Sequence, residues 1–317
     1  MKIFFALLIA LTSCALNAQQ AYPSKPIRII VPFAPGGPVD VVARLIAPKI
    51  TDALGQPVLI ENLAGAGGNI GVARVAKAAP DGYTVLTTSS SFAVNPALVT
   101  NPGYDAEKDF IPISVVASQP NFIFVNADFP AKTLADLLRM ARTEKLAYAS
   151  PSSGTTPHLT AENLFKVRVK VDITHIPFKG AGPAIAAVLG GQPPIGSAAG
   201  TAPVPHFKSG KLRALAVSSA KRSSLLPEVP TLGELGYPGM EDYTWVGVFV
   251  PVGTPADIAR KLNETVSRAV QSADVRERLE ALTFDITAAP LRETAEYVKG
   301  ELAKWARVVR ETGAKPD

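Results

Sequence analysis

The feature that most constrains this chain is a rhythm. Short, nearly all-apolar runs alternate with longer amphipathic runs, and glycine-rich loops separate them. Ile27 to Phe33 (IRIIVPF) has the make-up of a strand buried on both faces, as in a parallel sheet. Pro35-Gly36-Gly37-Pro38 breaks it. Asp40 to Leu54 then carries Val41, Val42, Leu45, Ile46 and Ile50 at helical spacing, with Gly55 as a stop and Pro48 as a kink candidate. The cycle repeats with a strand at Pro57 to Ile60, a loop at Gly65-Ala66-Gly67-Gly68 and a helix at Asn69 to Ala79. A turn at Pro80-Asp81-Gly82 leads to a strand at Tyr83 to Thr88. This order predicts doubly wound α/β sheets.

Near Ile111 the rhythm changes. Two strands, Ile111 to Ala117 and Asn121 to Val125, follow one another with no helix between them, which fits a crossover between domains. Beyond it, Thr133 reads as the cap of a helix over Leu134 to Arg142. The βα units resume with strands at Leu146 to Ala149, Asp172 to Pro177, Pro194 to Ala198 and Leu212 to Ser218. Helices are expected from His158 and from Pro183. Trp245 to Val250 reads as the return crossing, with Tyr243 and Trp245 as packing residues. Two amphipathic helices, Pro255 to Gln271 and Arg292 to Glu311, close the chain. The expected architecture is two doubly wound α/β domains joined by two crossover strands, with a ligand cleft between them. Residues 22–120 plus 245–317 form the first domain and 121–244 the second. A chain of 317 residues is long enough for two domains of ~150 each.

The N-terminus has its own logic. Met1-Lys2 is a minimal positive start, Ile3 to Leu11 is a short apolar core, and Asn17-Ala18-Gln19-Gln20 is a polar run. That order predicts a secretory signal, spanning residues 1–21, and a working domain in a compartment outside the cytosol. Cleavage after Ala18 would release a soluble chain. Alternatively, Leu11-Thr12-Ser13-Cys14 resembles a lipobox, and lipidation of Cys14 would anchor the chain to a membrane. Cys14 is the single cysteine, so an intrachain disulfide and a cysteine-based zinc site are excluded. The formal charge of +5 comes from scattered residues, not from a basic stripe, which argues against nucleic acid as a partner.

The loops carry the chemistry. Neither Phe33-Ala34-Pro35-Gly36-Gly37 nor the Ala66-Gly67-Gly68 loop completes a dinucleotide fingerprint, and there is no P-loop, so no cofactor is expected. Each loop nevertheless follows a strand and precedes a helix, so backbone amides at a helix N-terminus face the crevice. That suits a carboxylate as well as a phosphate. A third loop, Ser153-Gly154-Thr155-Thr156, ends at His158 and could hold the far end of a ligand with hydroxyls and amides. Ser89-Ser90-Ser91 with Asn95 is a weaker site of the same kind. Asp40 is either a general base or a brace that accepts amides of the first loop. Ser218-Ser219-Ala220-Lys221 matches SxxK without a KTG partner, and His158 with Glu162 lacks a third metal ligand.

Pro32-Phe33-Ala34-Pro35-Gly36-Gly37-Pro38-Val39-Asp40, followed by Ala43-Arg44, resembles the opening PFxPGGxxDxxAR of the tripartite tricarboxylate transporter receptors, or Bug receptors. Further segments are similar to that family in the same order. They include Asn62 to Gly71, Pro80-Asp81-Gly82-Tyr83-Thr84, Asn95-Pro96-Ala97-Leu98, Ser153 to Leu159, Pro177-Phe178-Lys179-Gly180 and Gly190-Gly191-Gln192. Leu212 to Val217, Leu226 to Thr231 and Pro251 to Pro255 continue the series. The resemblance implies a type II periplasmic binding protein that captures a small organic carboxylate, a di- or tricarboxylate or an aromatic acid. It implies membrane permease subunits as partners. It places Phe33 to Gly37, Ala66 to Gly68 and Ser89 to Ser91 on one side of the ligand. Ser153 to Thr156 face it from the other side, with Lys179-Gly180-Ala181 and Ser197 to Gly200 nearby. After Gly190-Gly191-Gln192 the chain departs from the family pattern. The small residues Ser197-Ala198-Ala199-Gly200 there are expected to widen a pocket wall for a bulkier acid. A monomer without catalytic or metal residues is expected. The competing readings are an organic-acid hydrolase or isomerase with Asp40 or His158 as base, and a sensing subunit for a membrane kinase.

Overall fold

The computed structural model describes residues 22–316. The segment read as a secretory signal, with Cys14, lies outside the described residues. The first lobe opens with β1 (Ile27–Val31), α1 (Pro38–Leu54) and β2 (Val58–Asn62). A single 3-10 turn at Ala66–Gly68 precedes α2 (Asn69–Ala76), followed by β3 (Thr84–Ser89) and α3 (Ser91–Leu98). β4 (Phe110–Asn126) then runs into the second lobe, which contains α4 (Leu134–Met140), β5 (Leu146–Ser150) and α5 (Thr156–Glu162). α5 continues as a π-helical stretch over Asn163–Val169. Next come β6 (Ile173–Pro177), α6 (Ala181–Leu189), β7 (Ile195–Ala199), α7 (Val204–Lys208) and β8 (Leu212–Val217). β9 (Tyr243–Pro251) returns to the first lobe, which is completed by α8 (Ala256–Gln271), α9 (Ala273–Glu280), β10 (Asp285–Ile286) and α10 (Leu291–Thr312).

The strands follow the order β2-β1-β3-β9-β4-β7-β5-β6, with β8 and β10 also on β4. β1 is parallel to β2 and β3, and β5 is parallel to β6 and β7. β9 is antiparallel to both β3 and β4. β4 is therefore shared. Its first half pairs with β9 and its second half, from Asn121, pairs with β7 and β8.

Local chemistry explains the elements. Pro38 stands in the first turn of α1, where its missing N–H costs nothing, and Gly55 ends the helix at φ +67°, a left-handed conformation that a glycine adopts without strain. Pro48 sits inside α1 without ending it. α4 starts with a capping box, in which the Thr133 hydroxyl accepts the Asp136 amide and the Asp136 carboxylate accepts the Thr133 amide. Buried aliphatic side chains of β1, α1, β9 and α8 fill one face of the first sheet. Phe92, Phe110, Phe249 and Trp245 fill the other.

Several expectations needed correction. The two strands at Ile111 to Ala117 and Asn121 to Val125 are one continuous strand, which passes Pro112 and Pro120. Register shifts between Pro112 and Ser114 and between Val115 and Ala117 absorb the irregularity. The Ser89–Ser91 loop is short, because Ser89 ends β3 and Ser91 opens α3. α3 went unread because it is buried and apolar almost all round, leaving no stripe to detect. α7 and α9 were also missed, so the tail holds three helices, not two.

Candidate functional site

The C-terminal ends of β1 and β3 in the first lobe face those of β5 and β7 in the second. Between them is a cavity of about 460 Å³, counted out to its open mouth. Phe33, Ala34, Gly37, Pro38, Val39 and Ser89 line it from the first lobe. Pro151, Thr155, Thr156 and Pro157, with Gly180, Ala181 and Ala199, line it from the second, and Thr244 of β9 lies between them. No charged side chain is on this wall.

Three helix N-termini end at the cavity. α1 begins at Gly37, α5 at Thr155 and α6 at Gly180, and no side chain caps any of the three. The first amides of a helix have no acceptor within it, and the backbone dipoles add partial positive charge there. Uncapped termini around one apolar cavity supply fixed donors for an anion, and no cation on the wall competes with them.

The first of these termini is braced by Asp40, which is buried on the far side of the turn. Its carboxylate accepts the Gly36 amide at 3.0 Å, Arg44 Nε at 3.1 and 3.0 Å and Asn62 Nδ2 at 2.9 Å. Burial alone would raise the Asp40 carboxyl. The hydrogen bonds from Arg44, Gly36 and Asn62 outweigh it and hold the group below the usual carboxylate range. Asn62 Nδ2 also donates to the Phe33 carbonyl, so strand and loop are tied together.

The lobes touch across the cleft. The Ser90 and Thr156 hydroxyls are 3.1 Å apart. A Cβ on Gly67 would stand 2.8 Å from the Ser153 carbonyl oxygen, and one on Gly154 would overlap Asn95 Oδ1. A Cβ on Gly180 would meet Ala34 Cβ at 3.1 Å. Gly67, Gly154 and Gly180 all have positive φ, and at each of them the opposite lobe occupies the space a side chain would need.

The model of the "Tripartite tricarboxylate transporter family receptor" matches residues 42–314. The chain belongs to this family. Among solved structures, the periplasmic binding protein BugD is 34% identical at a TM-score of 0.89, with 93% of this chain and 100% of BugD covered. An R. palustris protein solved with adipate is 33% identical at a TM-score of 0.89, with the same coverage of 93% and 100%. MatC from Rhodopseudomonas palustris with bound malate is 35% identical at a TM-score of 0.86, with 91% and 100% covered. Two α/β lobes with a cleft between them are thus the family's architecture as well as this chain's.

Against that receptor fold, the residues singled out in the sequence divide into groups. Phe33, Ala34, Gly37, Ser89, Thr155, Thr156, Gly180 and Ala181 are on the cavity wall. Pro35 and Gly36 are exposed in the same turn, and Asp40 supports it from behind. Gly67, with Asn95, Ser153 and Gly154, forms the interlobe contact beside the cavity, Gly68 packs on Phe33 and Pro32 within the first lobe, and Ala66 is exposed. Asn95 Nδ2 donates to the Gly67 carbonyl at 3.0 Å and to Asn69 Oδ1 at 2.7 Å, which stiffens that contact. Ser90 and Ser91 are buried behind Ser89. Lys179 is exposed and off the wall.

Three further placements differ from the sequence reading. Ser197 was expected on a widened wall, but its hydroxyl donates to the Pro157 carbonyl at 2.7 Å, behind the lining. Gly200 backs onto Thr283 of the first lobe, and only Ala199 of that segment reaches the cavity. His158 is buried away from the wall, where Nδ1 accepts the Gly154 amide at 3.3 Å and the ring stacks on His175 at 4.0 Å. Burial pushes His158 down to about 4 and His175 down to about 3, so both rings are neutral at neutral pH. Thr244 went unread in the sequence. It lies in β9, and its hydroxyl is 2.7 Å from that of Thr156.

Proposed function

We propose that this chain is an extracytoplasmic receptor that traps a small organic carboxylate between its lobes and delivers it to the membrane permease of a tripartite tricarboxylate-type transporter. One observation carries the reading. Three uncapped helix N-termini meet at one closable cavity whose wall has no charged side chain. Phosphate would suit the same amides. The relatives solved with malate and adipate favour a carboxylate.

Recognition runs as follows. In the open state the acid meets the amides of the Gly37 and Gly180 turns. Closure brings Ser90 against Thr156 and expels water, so fixed dipoles replace the ligand's hydration. Residues 22–120 plus 245–317 move as one body and 121–244 as the other, about β4 and the start of β9. The chain acts as a monomer in the periplasm, directed there by its first 21 residues, with or without a lipid on Cys14. It binds without turnover. Ser150, whose hydroxyl is 2.7 Å from His175 Nε2, is buried and does not face the cavity.

The test is a thermal-shift and calorimetric screen of residues 19–317 against mono-, di- and tricarboxylates, aromatic acids and inorganic phosphate. A ligand at a hundredfold excess over its Kd stabilises the native state by about 2.7 kcal/mol. The reading expects at least one carboxylate to bind, with no product released and with affinity that changes little between 20 and 300 mM salt, because no ion pair is made. A response to phosphate alone, or conversion of the bound acid, would refute it.

A further inference from the structure

The three threonine hydroxyls on the cavity wall can be followed proton by proton. A threonine hydroxyl has one proton and two lone pairs. Thr244 Oγ1 donates to Asn121 Oδ1 at 2.7 Å, so its proton is used. In its 2.7 Å contact with Thr156, Thr244 must therefore accept, and the Thr156 proton is used as well. In its 3.1 Å contact with Ser90, Thr156 must accept in turn. Thr155 Oγ1 gives its proton to the Ser152 carbonyl at 2.8 Å. Each of these three threonines keeps at least one lone pair and no proton.

The direction of this chain is fixed from its inner end. Asn121 Nδ2 donates to Asp242 Oδ2 at 3.0 Å, which turns the amide oxygen of Asn121 toward Thr244. Asp242 is buried at the hinge and is held by the Thr160 hydroxyl at 2.6 Å, the Tyr243 amide at 2.7 Å and Lys304 Nζ at 3.8 Å. Reversing the Asn121 amide would set its oxygen against a buried carboxylate.

We infer that Thr155, Thr156 and Thr244 form an acceptor face, polarised by Asn121 and Asp242, and that the receptor therefore selects carboxylic acids that also carry a hydrogen-bond donor, a hydroxyl or an amino group. This deepens the carboxylate reading and rests on it. A ligand carboxylate set against this face would oppose lone pair to lone pair. The carboxylate belongs at the helix N-termini, and the donor group belongs at the threonines. An analogue without the donor leaves the buried acceptors unpaired, which is the penalty that such sites exploit for selection. Thr244 and Thr156 are then specificity-determining residues, and Asn121 and Asp242 are positioning residues that act through them.

The test is calorimetry on matched pairs: succinate against malate, glutarate against 2-hydroxyglutarate and glutamate, and benzoate against 4-hydroxybenzoate. The inference expects the donor-bearing member of at least one pair to bind roughly tenfold tighter or more. Thr244→Val should bring that ratio to within about twofold, and Thr244→Ser, which keeps the lone pair, should restore it. If acids bind but no pair favours the donor-bearing member, this inference falls and the carboxylate reading stands. A ratio that Thr244→Val leaves intact also overturns the inference. If no carboxylate binds, both fail together. The wild-type ratios decide the matter even if Thr244→Val does not fold.

Discussion

Gly154→Ala separates closure from folding. Gly154 has φ +75°, and a Cβ there would overlap Asn95 Oδ1 and stand 3.0 Å from Leu98 Cδ2, both in the opposite lobe. The substitution therefore has two costs. The first is local. A non-glycine residue in the left-handed region costs roughly 1–2 kcal/mol, and this is present whether the cleft is open or shut. The second exists only in the shut state. Asn95 must move, and its hydrogen bonds to the Gly67 carbonyl and to Asn69 Oδ1 are disturbed. Two neutral hydrogen bonds at about 1 kcal/mol each give ~2 kcal/mol against closure, or roughly thirtyfold in affinity. Gly191→Ala is the control. Its φ is +75° too, and nothing lies within 4 Å of its Cβ. Calorimetry with the best acid of the screen, together with urea unfolding of the apo protein, reads the two costs separately. Both variants should lose similar apo stability, but only Gly154→Ala should lose affinity. Equal affinities would refute the argument that the lobes must meet at this glycine for ligand to be held.

Two other perturbations test the groups behind the wall. Asp40→Asn removes the charge that braces the Gly36 turn. Because the folded Asp40 carboxyl is held below its usual range, the stability it contributes is present at neutral pH and is lost as pH falls through the folded value. Urea unfolding should show the variant weaker by roughly 1–3 kcal/mol at pH 7, with the deficit shrinking steadily as the pH is taken below the ordinary carboxylate range, whereas a deficit independent of pH would mean packing and not charge. Asp242 has the opposite sign. Burial raises it to about 6, despite Lys304 and the Thr160 hydroxyl, so the wild type loses stability as pH rises from the unfolded value near 3.8 to the folded one. The loss is on the order of 3 kcal/mol, at 1.36 kcal/mol per pKa unit. Asp242→Asn should flatten that part of the stability-versus-pH curve, and an unchanged slope would refute its assignment to Asp242.

How much of this was legible in the sequence depends on where each signal resides. The βα units were readable because a strand buried on both faces has to be an apolar run, and because Gly37, Gly55 and the other turn glycines punctuate it. The helix N-terminus at the first loop was readable for a related reason, since a helix start follows from local order alone. β4 was not readable as one strand. Pro112 and Pro120 interrupt the pattern, and only the pairing with β9, β7 and β8 holds the segment straight through them. Ser197 was misplaced because small residues in a strand indicate space without indicating which side it is on.

Thr244 shows the deeper limit. Nothing around it, in a strand between Tyr243 and Trp245, marks it as a wall residue. Its role comes from a partner 88 positions away, Thr156, and from another 123 positions away, Asn121. The pattern of apolar and polar residues decides that β9 crosses between the lobes, and the crossing then places Thr244 where the ends of β3, β5 and β7 converge. Local sequence specified the donors, because helix starts are local. The acceptors arise from tertiary packing, because they depend on which hydroxyl gives its proton to which neighbour. In the proposed receptor, affinity for the carboxylate group belongs to the loops and is legible from them, whereas selection among carboxylates belongs to a hydrogen-bond chain that exists only once β4, α5 and β9 are packed together.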